Sequence, residues 1–256
     1  MSYKTIYCLS DNTKKAHQAY LTLKKKYKLT DTVEKADVIL VLGGDGFMLH
    51  VLHKYMELGI PIYGMNRGTV GFLMNDYNNK NLTQRLNNAK PQILYPLKMD
   101  TRTVYGKKHK ALAINEVSLL RETRQAASLE VSIDGKVRIP EMSCDGILVS
   151  TPAGSTAYNL SVHGPIIPLG SDILALTPIS PFRPRRWRGA LLAHNRVVRI
   201  KVLNPKKRPV SAVADFTEIR DVELVEISED RTKKIQLLFD QDHSLEDRII
   251  SEQFIA

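Results

Sequence analysis

The chain has 256 residues, 43% of them apolar and 25% charged, and 37 lysines and arginines against 27 aspartates and glutamates give it a formal charge of +10. That length suits two compact domains, the composition excludes a disordered chain, and two cysteines without metal-ligand spacing to each other or to the seven histidines exclude a disulfide framework. No run is long and apolar enough for a signal peptide or a membrane span, so the expectation is a cytoplasmic protein with reduced thiols and a preference for anionic partners.

In chain order, residues 5–10 read as a buried strand, and Ala16, Ala19, Tyr20, Leu23 and Tyr27 then recur at helical spacing. The apolar run 38–42 is a second strand that ends at Gly43-Gly44-Asp45-Gly46, after which Met48, Val51, Leu52, Tyr55 and Leu58 share one helical face. A third strand over 61–65 ends at Asn66-Arg67-Gly68, and 82–86 supports a short helix. Strands alternating with helices predict an α/β domain with a parallel sheet, whose ligands bind beyond the carboxyl ends of its strands.

The pattern changes near residue 95. Runs over 112–119, 129–133, 147–149, 197–202 and 222–227 read as strands parted by turn signals, with Asp134-Gly135 as a hairpin turn. This half is predicted to be β-rich, largely antiparallel and sandwich-like. The expected organisation is therefore 1–95 as the α/β domain carrying the Gly-Gly-Asp-Gly loop and 96–256 as the β-rich domain, with the C-terminal tail free to pack back on the first. An active site is expected between the halves.

Three segments carry chemistry. In Gly43-Gly44-Asp45-Gly46, glycines let a backbone approach phosphate where a strand turns into a helix, but the spacing is neither a Walker A loop nor a dinucleotide fingerprint. A carboxylate there repels phosphate unless a metal or a reacting hydroxyl intervenes, so Asp45 reads either as a catalytic group or as the N-cap of a tight turn. Asn115-Glu116 interrupts an apolar run, and reads either as a strand end in water or as recognition of sugar hydroxyls and a base edge. The third segment, 145–161, ends a strand at Thr151-Pro152 and follows it with a turn in which Ser155 or Thr156 is placed to cap a short helix. It is not a nucleophile elbow, because Ala157 stands where the second glycine belongs. Lysine and arginine clusters such as Lys24-Lys25-Lys26 read as solvated faces, except Arg183, Arg185, Arg186 and Arg188, whose proline and tryptophan neighbours suggest an ordered loop.

Together these segments resemble the NAD kinase family. Gly43 to Gly46 is similar to its Gly-Gly-Asp-Gly-Thr motif, Asn115-Glu116 to its Asn-Glu motif, and 151–161 to its glycine-rich motif, in the family's order. The tetrad is shared with diacylglycerol-type lipid kinases and phosphofructokinases, whereas Thr-Pro-x-Gly-Ser-Thr-Ala-Tyr with Asn-Glu is specific. The resemblance implies a Rossmann-like N-terminal domain and a β-rich C-terminal one. It further implies phosphoryl transfer from ATP or polyphosphate to the 2′-hydroxyl of the adenosine ribose of NAD, with a divalent cation such as Mg²⁺, in a homodimer or homotetramer. By the same resemblance Asp45 activates the hydroxyl and Gly46 lies against the nucleotide, while Gly43, Gly44 and Gly46 face the phosphate donor. Asn115 and Glu116 hold adenosine, and Asp145, Thr156, Ala157, Tyr158, Asn159, Leu160 and Ser161 line the dinucleotide pocket. Whether Asp45 is a general base or a metal ligand stays open, as do the other metal ligands. Alternatives are a lipid kinase sharing the loop and a non-catalytic dinucleotide sensor; no nucleic-acid or membrane partner is expected. The chain departs from the family pattern at Phe47, where threonine is usual, at His163, where glycine is common, and over 177–184, which lacks the usual Pro-His-Ser.

Overall fold

The strand Val38–Gly43 is buried at every position, which requires cover on both faces of its sheet. The computed structural model describes residues 3–69 and 71–241, and two units emerge: the residues up to Leu94 together with those from Lys233 onward, and Tyr95–Thr232. In the first unit a six-stranded sheet runs in the order Leu29–Thr30, Ile6–Ser10, Val38–Gly43, Ile62–Asn66, Ile235–Phe239, Lys90–Leu94. The first five are parallel and the last is antiparallel to its neighbour. The helix Lys14–Lys26 starts at Thr13, whose hydroxyl accepts from Ala16 N–H at 3.2 Å, and it buries Ala16, Ala19 and Leu23, steps of three and four residues that hold one face to the sheet. Its last turn carries Lys24, Lys25 and Lys26, which suit the negative end of the helix dipole. The helix Asp45–Tyr55 buries Met48, Val51, Leu52 and Tyr55 in the same manner. Of the C-terminal tail, Ile235–Phe239 belongs to this sheet, and the part past residue 241 lies outside the described residues.

The second unit is a two-sheet sandwich. One sheet runs Lys136–Cys144, Ala127–Ile133, Val198–Val202, Val222–Glu229, Leu97–Thr103, Lys108–Ala113; the other runs Ala190–Ala193, Ile173–Ile179, Gly146–Ser150, Glu116–Arg121, Val210–Ala214, Thr217–Ile219. Each neighbouring pair is antiparallel. Both sheets contribute to one core, with Met99, Leu129 and Ile200 from the first meeting Val117, Leu119 and Val149 from the second. At the Asp134-Gly135 turn both residues take positive φ, 52° and 76°, as a two-residue hairpin of type I′ demands.

One predicted strand is corrected. The run 112–119 is two strands in different sheets, Lys108–Ala113 and Glu116–Arg121, and the chain changes sheet at Ile114-Asn115. An apolar run broken only briefly by Asn115-Glu116 reads as one strand, but here the apolar residues reflect burial on both sides of a crossing point. Among the described residues no helix is long and apolar enough to cross a membrane. Cys8 and Cys144 are buried free thiols, and burial pushes each up to about 12, which leaves them protonated and unreactive.

Candidate functional site

In the first unit the strand Val38–Gly43 delivers the Gly-Gly-Asp-Gly loop to the start of the helix Asp45–Tyr55. The N-cap is Gly44, with no side-chain cap bond, so Asp45 is not the cap of its own helix. Its carboxylate instead accepts from two consecutive backbone amides across the loop, Phe72 N–H at 2.7 Å and Leu73 N–H at 3.0 Å. Two amides fix the orientation of the carboxylate. Gly44 and Gly68 meet backbone to backbone: a Cβ on Gly68 would lie 3.0 Å from the Gly44 Cα. Arg67 N–H donates to Gly43 O at 2.7 Å, which ties the two loops together. Phe47 folds back on Gly43, where a Cβ would stand 2.8 Å from its ring, so the aromatic occupies the space beside the loop. Gly46 is exposed, with nothing within 4 Å of a Cβ placed on it.

In the second unit the crossing point between sheets forms a separate cluster. The Asp215 carboxylate accepts from Ile114 N–H at 2.7 Å, Asn115 N–H at 3.0 Å and Glu116 N–H at 3.3 Å, and clamps the chain as it changes sheet. On the other side Thr151 N–H donates to Asn115 O at 2.9 Å, and the Thr151 hydroxyl donates to Ile114 O at 2.6 Å while accepting from Gly154 N–H at 3.1 Å. Gly154 lies so close that a Cβ would fall 2.2 Å from Asn115 O, so no side chain fits there. With the backbone held this tightly, the Asn115 Oδ1 and Glu116 Oε2 atoms are buried without a hydrogen-bond partner. Burial, with the charge of Asp215 behind it, pushes the Glu116 carboxyl up to about 8, against the pull of a hydrogen bond from Tyr158 N–H. The Tyr158 phenol is raised in turn by burial and by the charges of Glu116 and Asp145.

The segment 153–161 folds as a 3-10 turn, Ala153–Thr156, and one turn of α-helix, Tyr158–Ser161. Neither Ser155 nor Thr156 caps the helix. Ser155 is fully buried and donates from Oγ to Pro152 O at 2.7 Å while accepting from Ile167 N–H at 2.9 Å, so its hydroxyl is committed to holding the loop. Asn159 is also fully buried. Its amide donates to Ser155 O at 3.2 Å and to Pro165 O at 2.8 Å and accepts from Thr177 Oγ1 at 2.7 Å, so it shapes the segment from within. Thr156, Ala157 and Tyr158 are half-buried, Leu160 and Ser161 are exposed, and Asp145 pairs with Arg121 at 2.6 Å. Tyr158 is thus within electrostatic range of both Glu116 and Asp145.

Asp215 and the amides of Phe72 and Leu73 escaped the sequence reading because their partners lie roughly 100 and 30 residues away along the chain. A local signal existed for the second pair, since Gly68 and Gly71 follow the strand Ile62–Asn66 directly.

Residues 1–92 match the ATP-NAD kinase N-terminal domain family and residues 114–234 the ATP-NAD kinase C-terminal domain family. Among curated relatives, the NAD kinase of Zymomonas mobilis is 53% identical over 256 residues, 99% of each chain. That of Caulobacter vibrioides is 59% identical over 223 residues, 87% of this chain and 86% of its own. Two solved structures share the fold. Yeast NADH kinase complexed with NADH has a TM-score of 0.81 at 19% identity, covering 100% of this chain and 90% of its own. An NAD kinase from Archaeoglobus fulgidus in complex with ATP has a TM-score of 0.75 at 21% identity, covering 98% and 99%.

Proposed function

The chain belongs to the NAD kinase family, and from that premise we propose that it transfers a phosphoryl group to the adenosine 2′-hydroxyl of NAD, making NADP. The observation that carries this reading is the pair of buried acceptors without partners, Asn115 Oδ1 and Glu116 Oε2. A buried polar atom left without a partner costs about 1–3 kcal/mol, so two such acceptors held by backbone clamps suit a ligand that brings donors. A nucleoside supplies two kinds of donor: ribose hydroxyls, and the exocyclic amine of adenine. Glu116 receives a ribose hydroxyl and Asn115 the base edge, while Tyr158 forms a wall and the peptide groups of Thr156, Ala157, Leu160 and Ser161 complete the pocket. Neither a lipid kinase nor a non-catalytic sensor is favoured by the two curated relatives described above, each named NAD kinase.

Asp45 is the group assigned to the reacting oxygen. Held by two amides, its carboxylate accepts the 2′-hydroxyl proton as that oxygen attacks the terminal phosphorus of the donor in line, and the bond from that phosphorus to its bridging oxygen breaks, so that ATP leaves as ADP or polyphosphate as a chain shorter by one phosphate. The glycines of the loop, Gly43, Gly44 and Gly46, keep side chains away from the phosphates. ATP is the proposed donor and polyphosphate the alternative. A divalent cation, Mg²⁺, is proposed to enter with the donor. Among the described residues no group of three His, Cys, Asp or Glu side chains is placed to hold one; Asp45 would be its protein ligand in the alternative to the general-base role. When bound it neutralises phosphate charge. The assembly proposed is a homodimer or homotetramer in the cytoplasm.

The test is NADP formation by the purified protein with Mg²⁺ and either ATP or polyphosphate, with Asp45→Asn alongside. Wild type is expected to turn over, and the variant to lose more than about 100-fold in rate while holding NAD within about tenfold. The variant also sets an amide –NH₂ against one of two N–H donors, so its folding must be checked by melting. A folded Asp45→Asn protein with near-normal turnover would end the assignment.

A further inference from the structure

Among the described residues six strands end the three sheets, and five of them carry a device that discourages pairing with another chain. Lys136–Cys144 has Lys136, Arg138 and Pro140, and its register against its neighbour shifts twice, between Val137 and Ile139 and between Ile139 and Met142. Lys108–Ala113 carries Lys108 and Lys110, Lys90–Leu94 opens on Lys90-Pro91, Thr217–Ile219 is three residues long with Glu218 at its centre, and Leu29–Thr30 is two residues long. The sixth, Ala190–Ala193 in the second unit, has no such device. It reads Ala-Leu-Leu-Ala, pairs without a shift along Ile173–Leu176, and among the described residues no strand takes up its outer edge. Leu191 is 55% exposed, and Ile173, diagonal to it on the same face of the pair, is 36% exposed.

Charge is divided between the two ends of this strand. Before it stand Arg185, Arg186 and Arg188, none of which pairs with a carboxylate among the described residues. At its other end His194 N–H donates to Asp172 O at 3.0 Å, and His194 Nδ1 lies 3.0 Å from Glu229 Oε2. The carboxylates of Asp172 and Glu229 share one arginine, Arg231. Antiparallel pairing of two copies about a two-fold axis sets the arginine end of each strand against the acidic end of the other, whereas parallel pairing sets arginines against arginines. We propose that Ala190–Ala193 pairs antiparallel with the same strand of a second copy, so that the two six-stranded sheets continue as one across the two-fold axis. The backbone edge supplies the register, Leu191 and Ile173 the apolar contact, and the arginines the attraction between unlike ends. This pairing rests on the homo-oligomer proposed above and gives it a surface, and it requires no turnover.

The full-length protein, without substrates, is followed by sedimentation from about 1 to 100 µM, and its backbone by hydrogen exchange read by mass spectrometry. Wild type is expected to self-associate with a Kd on the order of 10 µM or below, and the amides of 190–193 to exchange more slowly at the concentrated end. Leu191→Lys changes an exposed side chain, so the melting temperature should hold, while association weakens at least about tenfold, the assembled mass halves and the concentration-dependent protection disappears. Arg186→Glu/Arg188→Glu is also expected to weaken association about tenfold, by setting like charges together. Val137→Lys makes the same change at an exposed position of a blocked edge and should stay within about twofold of wild type. The outcome is independent of NADP formation, so this pairing and the kinase reading fail separately. The proposal is overturned if wild type stays monomeric, if Leu191→Lys or the arginine reversal assembles as wild type does, if Val137→Lys weakens association as much as Leu191→Lys, or if exchange at 190–193 is the same at both concentrations.

Discussion

At the scale of single residues, Glu116 is the group whose ionisation the fold controls most visibly. Its carboxyl is shifted from an ordinary value of 4.5 up to about 8 by burial and by the neighbouring charge of Asp215. Between those values the folded chain holds a proton that the unfolded chain has released, so stability declines with rising pH. The contribution is fully present below about pH 4.5, is lost progressively as pH rises through about 8, and is absent beyond it. Glu116→Gln keeps the shape and remains neutral throughout. Its melting temperature is therefore expected to be flatter than that of wild type between about pH 5 and 8, with the two curves diverging toward the alkaline side. Parallel curves would mean that Glu116 is ionised in the folded protein well below pH 8, and the electrostatic picture of the site would fail.

At the scale of elements, the two glycine-bearing loops do different jobs, and substitution separates them. A methyl on Gly154 meets the carbonyl oxygen of Asn115 at 2.2 Å, and a backbone atom has no rotamer to move into. Gly154→Ala should cost about 3 kcal/mol, the upper end of the usual overpacking range, read as a lowered urea midpoint. A methyl on Gly46 meets nothing, and alanine favours a helix over glycine by up to about 1 kcal/mol, so Gly46→Ala should be neutral or stabilising while lowering NADP formation. The reverse order of stabilities would show that the crossing point yields and that Gly46 is the more tightly packed position. The contrast also marks what was legible in the sequence. Glycines beside a carboxylate after an apolar run, and an Asn-Glu pair in an apolar stretch, announce themselves locally, as do the parallel strands and the Asp134-Gly135 hairpin. The clamp of Asp215 on three amides is a tertiary pairing with no local pattern, and the grip of the Phe72 and Leu73 amides on Asp45 is marked locally only by the glycines Gly68 and Gly71. For the same reason the run 112–119 concealed a change of sheet: burial on both sides erases the alternation that marks a strand's two faces.

At the scale of the whole molecule, the chain leaves the first unit after Leu94 and returns to it at Lys233, so that unit depends on a strand delivered last. Ile235–Phe239 lies between Ile62–Asn66 and Lys90–Leu94, and a buried polar knot secures its end. Tyr63 Oη donates to Asp240 Oδ1 at 2.7 Å, Arg85 pairs with the other carboxylate oxygen, and Asp240 N–H donates to Asn75 Oδ1 at 2.8 Å. Asn75, fully buried, completes the knot by donating to Gly64 O at 3.0 Å and Leu238 O at 2.9 Å. The side chains of Arg85 and Asp240 are only 17% and 16% exposed, so removing one leaves a largely dehydrated charge behind. Asp240→Ala is expected to cost about 3 kcal/mol in a urea titration followed by circular dichroism, because Arg85 loses its counter-charge and Tyr63 its acceptor. Arg85→Met combined with Asp240→Ala should recover part of that loss, since a methionine carries no charge to strand. A single variant that loses less than about 1 kcal/mol, or a double variant less stable than the single one, would mean that the returning strand is held by its backbone ladder and side-chain burial rather than by the ion pair at its end.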